Sequence, residues 1–428
     1  MSLARRWLDP IRSRWFFSRS YRQRHLSARN GITVYLRLDD AYSYLLVQLL
    51  PQLDDLLVDK LGPLRINICE QPCPPPAAMS VTQWQQYMLA DAAALAEHHR
   101  FTFDATARLP TAALMQQATA ILKASPLRGN DYLHLLQDIF HMLWQHQQGK
   151  LNTLYYMASR RQPAPSVSTD PPAIQFVDQC ISSAYLLFGG RQYRAIDDFL
   201  RLTRRLKQQK LLNSEPIFLI NHIEWGEHLV NDPESLTEIQ VLHAQLDIYV
   251  ALEDPISWLI LDYLKRELVD YYNLCLKVHP LPYQGRDAFD WGLIARLSRR
   301  TEVAIAPFCR PDALAALNIA RLIYAVEEDQ RAAALLEVLR GVWTKGLDAG
   351  FSVHLQQLAK VALTDNQHLI DADETRSWLQ DNQAICQTYH QPDLPVMILK
   401  IGENQHVFNS LYRIWRIESL LADALETE

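Results

Sequence analysis

The sequence has few cysteines, and no two of them have the CxxC spacing. Its 428 residues include six Cys, and the nearest pair, Cys69 and Cys73, has three residues between them. Six cysteines in a chain of this length are too few for a disulfide-stabilised scaffold, so the sequence excludes that class. Free thiols are typical of proteins in a reducing compartment, and we therefore expect a cytoplasmic protein.

Long apolar runs are also missing. No uninterrupted run reaches the ~18 residues that a membrane-spanning helix needs. The Arg-rich beginning of the sequence has neither the apolar stretch nor the small-residue cleavage site of a secretory signal, and we expect none. The formal net charge of -6 argues against a chain that is built as a whole to bind nucleic acid, so we expect no specific nucleic-acid partner.

Residues 1–30 form a basic N-terminal arm with eight Arg and one acidic residue. Aromatic residues are interleaved with the arginines, a composition typical of segments that contact an anionic membrane surface, a nucleic acid or another protein. The alternative is an arm that folds back on the acidic body of the protein. Pro10 interrupts any long amphipathic helix and favours this second interpretation.

The rest of the chain repeats itself. The stretch from Ile32, "ITVYLRLDDAYSYLLVQLL", aligns without gaps with the stretch from Leu246, "LDIYVALEDPISWLILDYL", 214 positions later. Three further blocks follow in the same order, and each copy ends in a pair of strands that turn at Gly. Ordered blocks at comparable spacing indicate a tandem duplication.

Each copy predicts the same α/β layout, with helices on both faces of a sheet. An apolar strand is followed at once by a helix that is apolar all round, then by a second strand, a helical insertion, a strand hairpin and a final helix. We therefore predict a first domain at 31–212, a helical linker at 213–244 and a second domain at 245–428. A pseudo-dimer of the two domains within one chain is expected by analogy.

The start of the first helix carries a local pattern that resembles a known family. Asp40-Ala41-Tyr42-Ser43-Tyr44 and Asp254-Pro255-Ile256-Ser257-Trp258 follow the two leading strands. The pattern resembles the DsbA-like branch of the thioredoxin superfamily, and within it 2-hydroxychromene-2-carboxylate isomerase and the kappa-class glutathione transferases. The resemblance implies two tandem thioredoxin-like domains, each with a helical insertion.

The resemblance also implies a site. In that family, the reactive Cys or Ser precedes the first helix, where the helix N-terminus stabilises a thiolate. Here that position is Asp40 in one copy and Asp254 in the other. Leu394-Pro395 resembles the family's cis-proline position, whereas the first copy has Ser183-Ala184 there. The implied binding residues are Tyr42, Ser43, Ser257, Trp258 and Pro395, and the implied ligand is glutathione or another small thiol or aromatic molecule.

The two aspartates have two interpretations that are compatible with each other. Asp40 and Asp254 could act as general bases or bind a polar substrate group. Each could also be a helix N-cap, since Asp is a preferred capping residue and Pro255 follows at the first helical position. We expect the helix N-terminus to keep both carboxyl groups ionised. A second anion, such as a substrate thiolate, would then be repelled.

One further cluster could be chemical. His134, Asp138 and His141 lie on one face of a predicted helix, a spacing compatible with metal ligands. The second copy has no equivalent cluster, so we predict no metal site.

Two functions remain open on the sequence alone. The first is an enzyme of the isomerase or transferase type that the resemblance implies, with a small ligand bound near the N-terminus of the first helix. The second is a catalytically degenerate scaffold or binding protein in which the Asp caps have replaced the reactive group. Because neither copy has sulfur at that position, dithiol oxidoreductase chemistry is excluded there.

Overall fold

A computed structural model describes the chain over residues 31–70, 75, 79–104, 106–160, 174–177, 184–214, 228–285, 291–306, 310–364, 368–391, 394–409 and 411–426. The chain divides into two compact units between His222 and Ile223. We call the described part up to residue 214 the first unit and the described part from residue 228 the second unit. The division falls inside the predicted linker. The basic N-terminal arm lies outside the described residues.

The first unit is built around a mixed five-stranded sheet. Its strands are β1 (Thr33–Leu36), β2 (Arg65–Cys69), β3 (Ile174–Val177), β4 (Tyr185–Phe188) and β5 (Arg191–Arg194). Its helices are α1 (Ala41–Val47), α2 (Leu50–Leu56), α3 (Val81–His99), α4 (Ala112–Ala124), α5 (Gly129–Trp144), α6 (Gln148–Arg160) and α7 (Phe199–Gln208).

The strand order of this sheet is β3-β2-β1-β4-β5. The strand β1 pairs in parallel with β2 and antiparallel with β4, so that Val34 lies opposite Ile66 on one side and Leu186 on the other. A β-α-β unit thus precedes a hairpin that returns next to the first strand. This is the connectivity of a thioredoxin-like fold, with helices α3 to α6 inserted before the last strands.

The second unit has a four-stranded sheet. Its strands are β6 (Gln245–Ala251), β7 (Cys275–Leu281), β8 (Val396–Ile401) and β9 (Asn404–Asn409). Its helices are α8 (Pro233–Val241), α9 (Pro255–Tyr263), α10 (Trp291–Arg300), α11 (Ala313–Tyr324), α12 (Arg331–Trp343), α13 (Ser352–Ala362), α14 (Ala372–Thr388) and α15 (Trp415–Glu426). A π-helical turn, Leu264–Val269, continues α9 and is followed by a short helical segment, Asp270–Tyr272.

The order of this second sheet is β7-β6-β8-β9, with β6 parallel to β7 and antiparallel to β8. The same pairings and directions occur in β2-β1-β4-β5 of the first unit. Both units are therefore mixed α/β with thioredoxin-like connectivity and a helical insertion, as the sequence predicted.

The leading helices lie in the cores of their units because they are apolar on every side. All seven residues of α1 are buried, and eight of the nine in α9. Apolar burial of this extent contributes the largest favourable term in folding. The helix α1 ends at Val47, and Pro51 then occupies the first turn of α2, where its missing N–H removes no intrahelical hydrogen bond.

Most of the helices and strands that the sequence predicts are present in the structure. The ones that were not predicted have weak local sequence patterns. The strand β3 carries no hairpin signal in the sequence, and it pairs only with β2 at one edge of the sheet. The helices α6, α13 and α14 are mostly exposed and polar, with Leu151 as the one buried residue of α6. Within the described residues, no helix is both long and apolar enough to span a membrane.

Candidate functional site

The candidate site lies where the central strand of each sheet ends and the first helix begins. Parallel strands present their carboxyl ends at one sheet edge, which is where α/β folds place their ligands. In the first unit Asp40 stands between β1 and α1, and in the second unit Asp254 stands between β6 and α9. Both residues have extended backbone and cap the helix with their side chains.

Asp40 caps the helix through one of its two carboxylate oxygens. Its Oδ2 accepts the Ser43 backbone N–H at 2.8 Å, the Ser43 hydroxyl at 2.6 Å and the backbone N–H of Ala184 at 3.1 Å. The other oxygen, Oδ1, is buried and has no hydrogen-bond partner among the described residues. Asp40 therefore fastens the start of α1 to the residue that precedes β4.

Burial changes the expected ionisation of Asp40. The side chain is 2 % exposed, and loss of water raises the pKa of its carboxyl to about 6. The bonds from Ser43 and Ala184 and the charge of Arg37 lower the pKa, but by less than burial raises it. That Asp40 is ionised at neutral pH stays a prediction, but desolvation, which the sequence pattern does not reveal, moves the pKa of Asp40 upward.

Ser43 and Tyr42 are held by internal bonds. The Ser43 hydroxyl donates to Asp40 and accepts the Arg37 backbone N–H at 3.0 Å, and the side chain is fully buried. The Tyr42 hydroxyl donates to the buried carboxylate of Asp91 on α3 at 2.6 Å. Both side chains therefore hold α1 in place, and their predicted role in ligand binding stays a prediction.

Asp254 repeats the cap with different partners. Its Oδ1 accepts the Ile256 backbone N–H at 3.0 Å, and its Oδ2 accepts the Ser257 hydroxyl at 3.3 Å. Asp254 is 2 % exposed and Ser257 1 % exposed. The aspartates of both units are thus helix N-caps, and the serine three residues later donates its hydroxyl to each.

The two units differ at the residue that precedes the returning strand. The Leu394–Pro395 peptide bond is cis, as the resemblance implies, and Pro395 is buried directly before β8. Because Val396 pairs with Tyr249, Pro395 lies at the end of β6 that carries Asp254. Proline has no backbone N–H, so the bond that Ala184 donates to Asp40 has no counterpart in the second unit.

Trp258 is part of the core of the second unit. Its side chain is 0 % exposed and lies in the main hydrophobic cluster. Its indole Nε1 has no hydrogen-bond partner among the described residues, but this is equally true of Trp144 and Trp343, so the observation does not point to a ligand. A binding role for Trp258 would need the core to open, and it stays a prediction.

Glu253, the residue before the second cap, is not among the site residues that the sequence predicts. Glu253 is 0 % exposed, and burial raises its pKa. Its Oε1 accepts the Gln284 backbone N–H at 2.7 Å, whereas its Oε2 has no partner among the described residues. The signal was available in the repeat, because Asp39 aligns with Glu253, and Arg37, the partner of Asp39, aligns with Ala251.

The remaining candidates are not assembled into a site. His141 shares a hydrogen bond of 3.0 Å with the Tyr44 hydroxyl, while His134 and Asp138 are exposed. Within the described residues no three His, Cys, Asp or Glu side chains are grouped as metal ligands. Cys69 is buried, and Cys73 lies outside the described residues.

Comparison with known proteins finds likeness at the level of the fold. No protein-family model and no curated protein matches the chain. Among solved structures, the chain is similar to a 2-hydroxychromene-2-carboxylate isomerase, at 14% identity and a TM-score of 0.31 over 42% of this chain and 96% of that one. It is also similar to the cytosolic disulfide reductase DsbM from Pseudomonas aeruginosa, at 12% identity and a TM-score of 0.34 over 43% of this chain and 100% of that one.

Neither match carries the fold assignment, because both have TM-scores below 0.5. Each of them covers about two fifths of this chain. The assignment of a thioredoxin-like fold is carried by the order and direction of the strands, which occur in both units.

Proposed function

We propose that this chain is a tandem duplication of a DsbA-like thioredoxin domain that binds a small ligand in its second unit and performs no dithiol exchange. The duplication is supported by the four aligned blocks and by the strand pairings that both units have in common. The absence of dithiol exchange is supported by Asp40 and Asp254, which stand where the family places its reactive residue.

The observation that carries the ligand proposal is the difference between Ala184 and Pro395. In the first unit, the Ala184 N–H bonds to Asp40 and closes the edge where the helix and the returning strand meet. In the second unit, cis Pro395 offers no N–H at this edge, and Glu253 brings a second buried carboxyl group beside Asp254. Asp40 Oδ1 and Glu253 Oε2 both lack a partner among the described residues, but only the second unit also lacks the N–H that joins the helix start to the returning strand.

The ligand class follows from the resemblance together with this edge. A small thiol such as glutathione, or an aromatic molecule, would lie beside Pro395 at the N-terminus of α9, where Asp254 and Ser257 present polar groups. If the bound molecule is turned over, the chemistry is of the isomerase or transferase type. It would use carboxyl groups for proton transfer, since neither unit has a sulfur at the helix start.

A second candidate is favoured by the internal bonds of the caps. Asp40 and Ser43 satisfy each other inside the first unit, and Asp254 and Ser257 do the same in the second. Such internal hydrogen bonds are expected in a duplicated scaffold whose reactive groups have become helix caps. We therefore keep a catalytically degenerate scaffold or binding protein as the alternative, and we regard the first unit as degenerate under either proposal.

Calorimetric titration of the whole chain with glutathione tests the proposal. We expect binding at sub-millimolar concentration by the wild type, with Asp40→Ser as the matched control in the first unit that leaves this binding unchanged. Binding by Asp254→Ser alone would favour the degenerate scaffold. Absence of binding by the wild type and both variants would rule out glutathione, and the same three proteins would then be titrated with benzoate as an aromatic probe.

A cytoplasmic location belongs to the same proposal. It is supported by Cys275, an exposed free thiol, because exposed thiols persist in reducing compartments. Contact of the basic N-terminal arm with an anionic membrane or a protein partner, and a pseudo-dimer formed by the two units, remain predictions.

A further inference from the structure

Glu253 is a buried carboxyl group with hydrogen-bonding capacity that the fold does not use. It directly precedes the cap of α9, at the sheet edge to which we assign the ligand. Its side chain is 0 % exposed, one oxygen accepts the Gln284 N–H, and the other has no partner among the described residues. A buried carboxylate left with an unsatisfied oxygen is strongly destabilising, so such groups take up a proton or acquire a partner.

The repeat shows what Glu253 has lost. In the first unit, Asp39 forms an ion pair of 2.6 Å with Arg37 and keeps 31% of its side chain exposed. At the positions aligned with this pair, the second unit has Glu253 and Ala251, both buried. The second unit has therefore kept the acid, replaced the arginine of the pair by alanine and excluded water. Neutralisation by a proton is what this combination favours.

The charges around Glu253 act in both directions. Burial raises its pKa most, the Gln284 N–H lowers it, the neighbouring Asp254 raises it, and Arg310, which stands ahead of α11, lowers it. Asp254 is itself buried and bonded as a cap. Desolvation is the dominant contribution, and the two flanking charges oppose each other.

We propose that Glu253 carries a proton on Oε2 at neutral pH and donates it in a hydrogen bond to an oxygen acceptor, a carboxylate or a carbonyl, on the ligand of the second unit. This inference rests on the proposed function and narrows its ligand class. A protonated acid with one free O–H selects an acceptor, and it disfavours a cationic group, which would require the proton to leave.

Infrared difference spectroscopy at pH 7 tests the proton without any ligand. The infrared spectrum of the wild type minus that of Glu253→Gln should show the carbonyl band of a protonated carboxylic acid. The same band should persist in the spectrum of Asp40→Asn. A difference spectrum that shows only carboxylate bands would overturn the proposal. Circular dichroism of Glu253→Gln establishes that the variant is folded.

A pair of probes of matched size then tests recognition. Benzoate, which only accepts hydrogen bonds, should bind and lower the frequency of the Glu253 band, while benzylamine should not bind. Glu253→Leu should weaken benzoate binding about tenfold. Glu253→Gln, which retains a donor, should stay within about threefold of the wild type and lose any pH dependence of binding between pH 6 and 9.

The outcomes separate this inference from the proposed function. If benzoate or glutathione binds the wild type and Glu253→Leu equally and leaves the band unshifted, the second unit binds ligands without Glu253 and only the inference is wrong. Binding of benzylamine with release of a proton would also overturn it. If no probe binds any form of the protein, the proposed ligand site is wrong, and recognition by Glu253 is wrong with it.

Discussion

The backbone N–H of Ala184 donates a hydrogen bond of 3.1 Å to Oδ2 of Asp40, across 144 positions of the chain. The bond joins the start of α1 to the start of β4, the two elements between which thioredoxin-like folds place a ligand. Its counterpart in the second unit cannot form, because Pro395 has no N–H. One difference at equivalent positions of the repeat thus removes the hydrogen bond that would join these two elements in the second unit.

Replacing Asp40 by Asn should remove a pH dependence of stability. The pKa of Asp40 is raised from 3.8 to about 6, so the folded state binds a proton more tightly than the unfolded state. The associated stability is fully present below pH 4 and is lost as the pH rises through 6. Each pKa unit corresponds to about 1.4 kcal/mol, so ionisation of Asp40 costs about 3 kcal/mol. Urea unfolding at pH 4, 5.5 and 7.5 should show the wild type losing stability relative to Asp40→Asn.

Asp232→Asn is the control for this experiment. Asp232 caps α8 and accepts the Ser235 N–H at 2.8 Å, and this bond lowers its pKa. Because the group is exposed, desolvation does not offset the effect. Its contribution is present above the ordinary pKa and disappears as the pH falls, so the effect of the substitution should have the opposite sign. Equal pH profiles for the wild type and Asp40→Asn would show that Asp40 ionises like an exposed group.

The two serines should differ in their contribution to stability. Ser43→Ala removes the hydroxyl that accepts the buried Arg37 N–H and donates to Asp40, and the loss should destabilise the first unit by about 1–3 kcal/mol. Ser257→Ala is the matched variant in the second unit and removes a longer bond of 3.3 Å to Asp254, so its cost should be below about 1 kcal/mol. Chemical denaturation measures both, and a larger cost for Ser257→Ala would contradict this ranking.

The leading strands, the strand hairpins and the starts of the first helices could be predicted from the sequence. The apolar strands around Val34 and Ile248, the all-apolar helices after them and the position of Pro395 were all readable, because each depends on local pattern. The aspartate caps were readable for the same reason, since a carboxylate before a helix bonds within three residues of itself.

The sequence did not reveal which acidic side chains are buried. Asp40 and Glu253 look like solvated acids beside a helix start, and only the packing of α1 and α9 into their cores removes the water from them. The Ala184 bond was equally hidden, since it joins positions that are distant in the sequence. Desolvation and contacts across the fold therefore decided the chemistry of the site, while local pattern decided its location.

The bond between Tyr42 and Asp91 should couple α1 to the helical insertion. The hydroxyl donates to a buried carboxylate at 2.6 Å, so a double-mutant cycle of Tyr42→Phe and Asp91→Asn should give a coupling energy of about 1–2 kcal/mol. The cycle of Tyr42→Phe with Thr375→Val, whose hydroxyl donates to the carbonyl of Asp371 at the start of α14, should be additive. A coupling energy near zero for the first cycle would mean that another group donates a hydrogen bond to Asp91 in place of Tyr42.

Cys275 and Cys386, two thiols in the described part of the second unit, should react at unequal rates, and this bears directly on redox chemistry. Burial raises the pKa of Cys386 to about 11, whereas Cys275 is exposed at the start of β7. Because the thiolate is the reactive form, Cys275 should be alkylated first at pH 7.5, and Cys386 only after unfolding. Iodoacetamide labelling followed by peptide mass spectrometry measures both rates, with Cys275→Ser as the variant in which the fast phase disappears. Fast labelling of Cys386 in the folded protein would show an activated thiol on α14 and would reopen a sulfur-based mechanism for this unit.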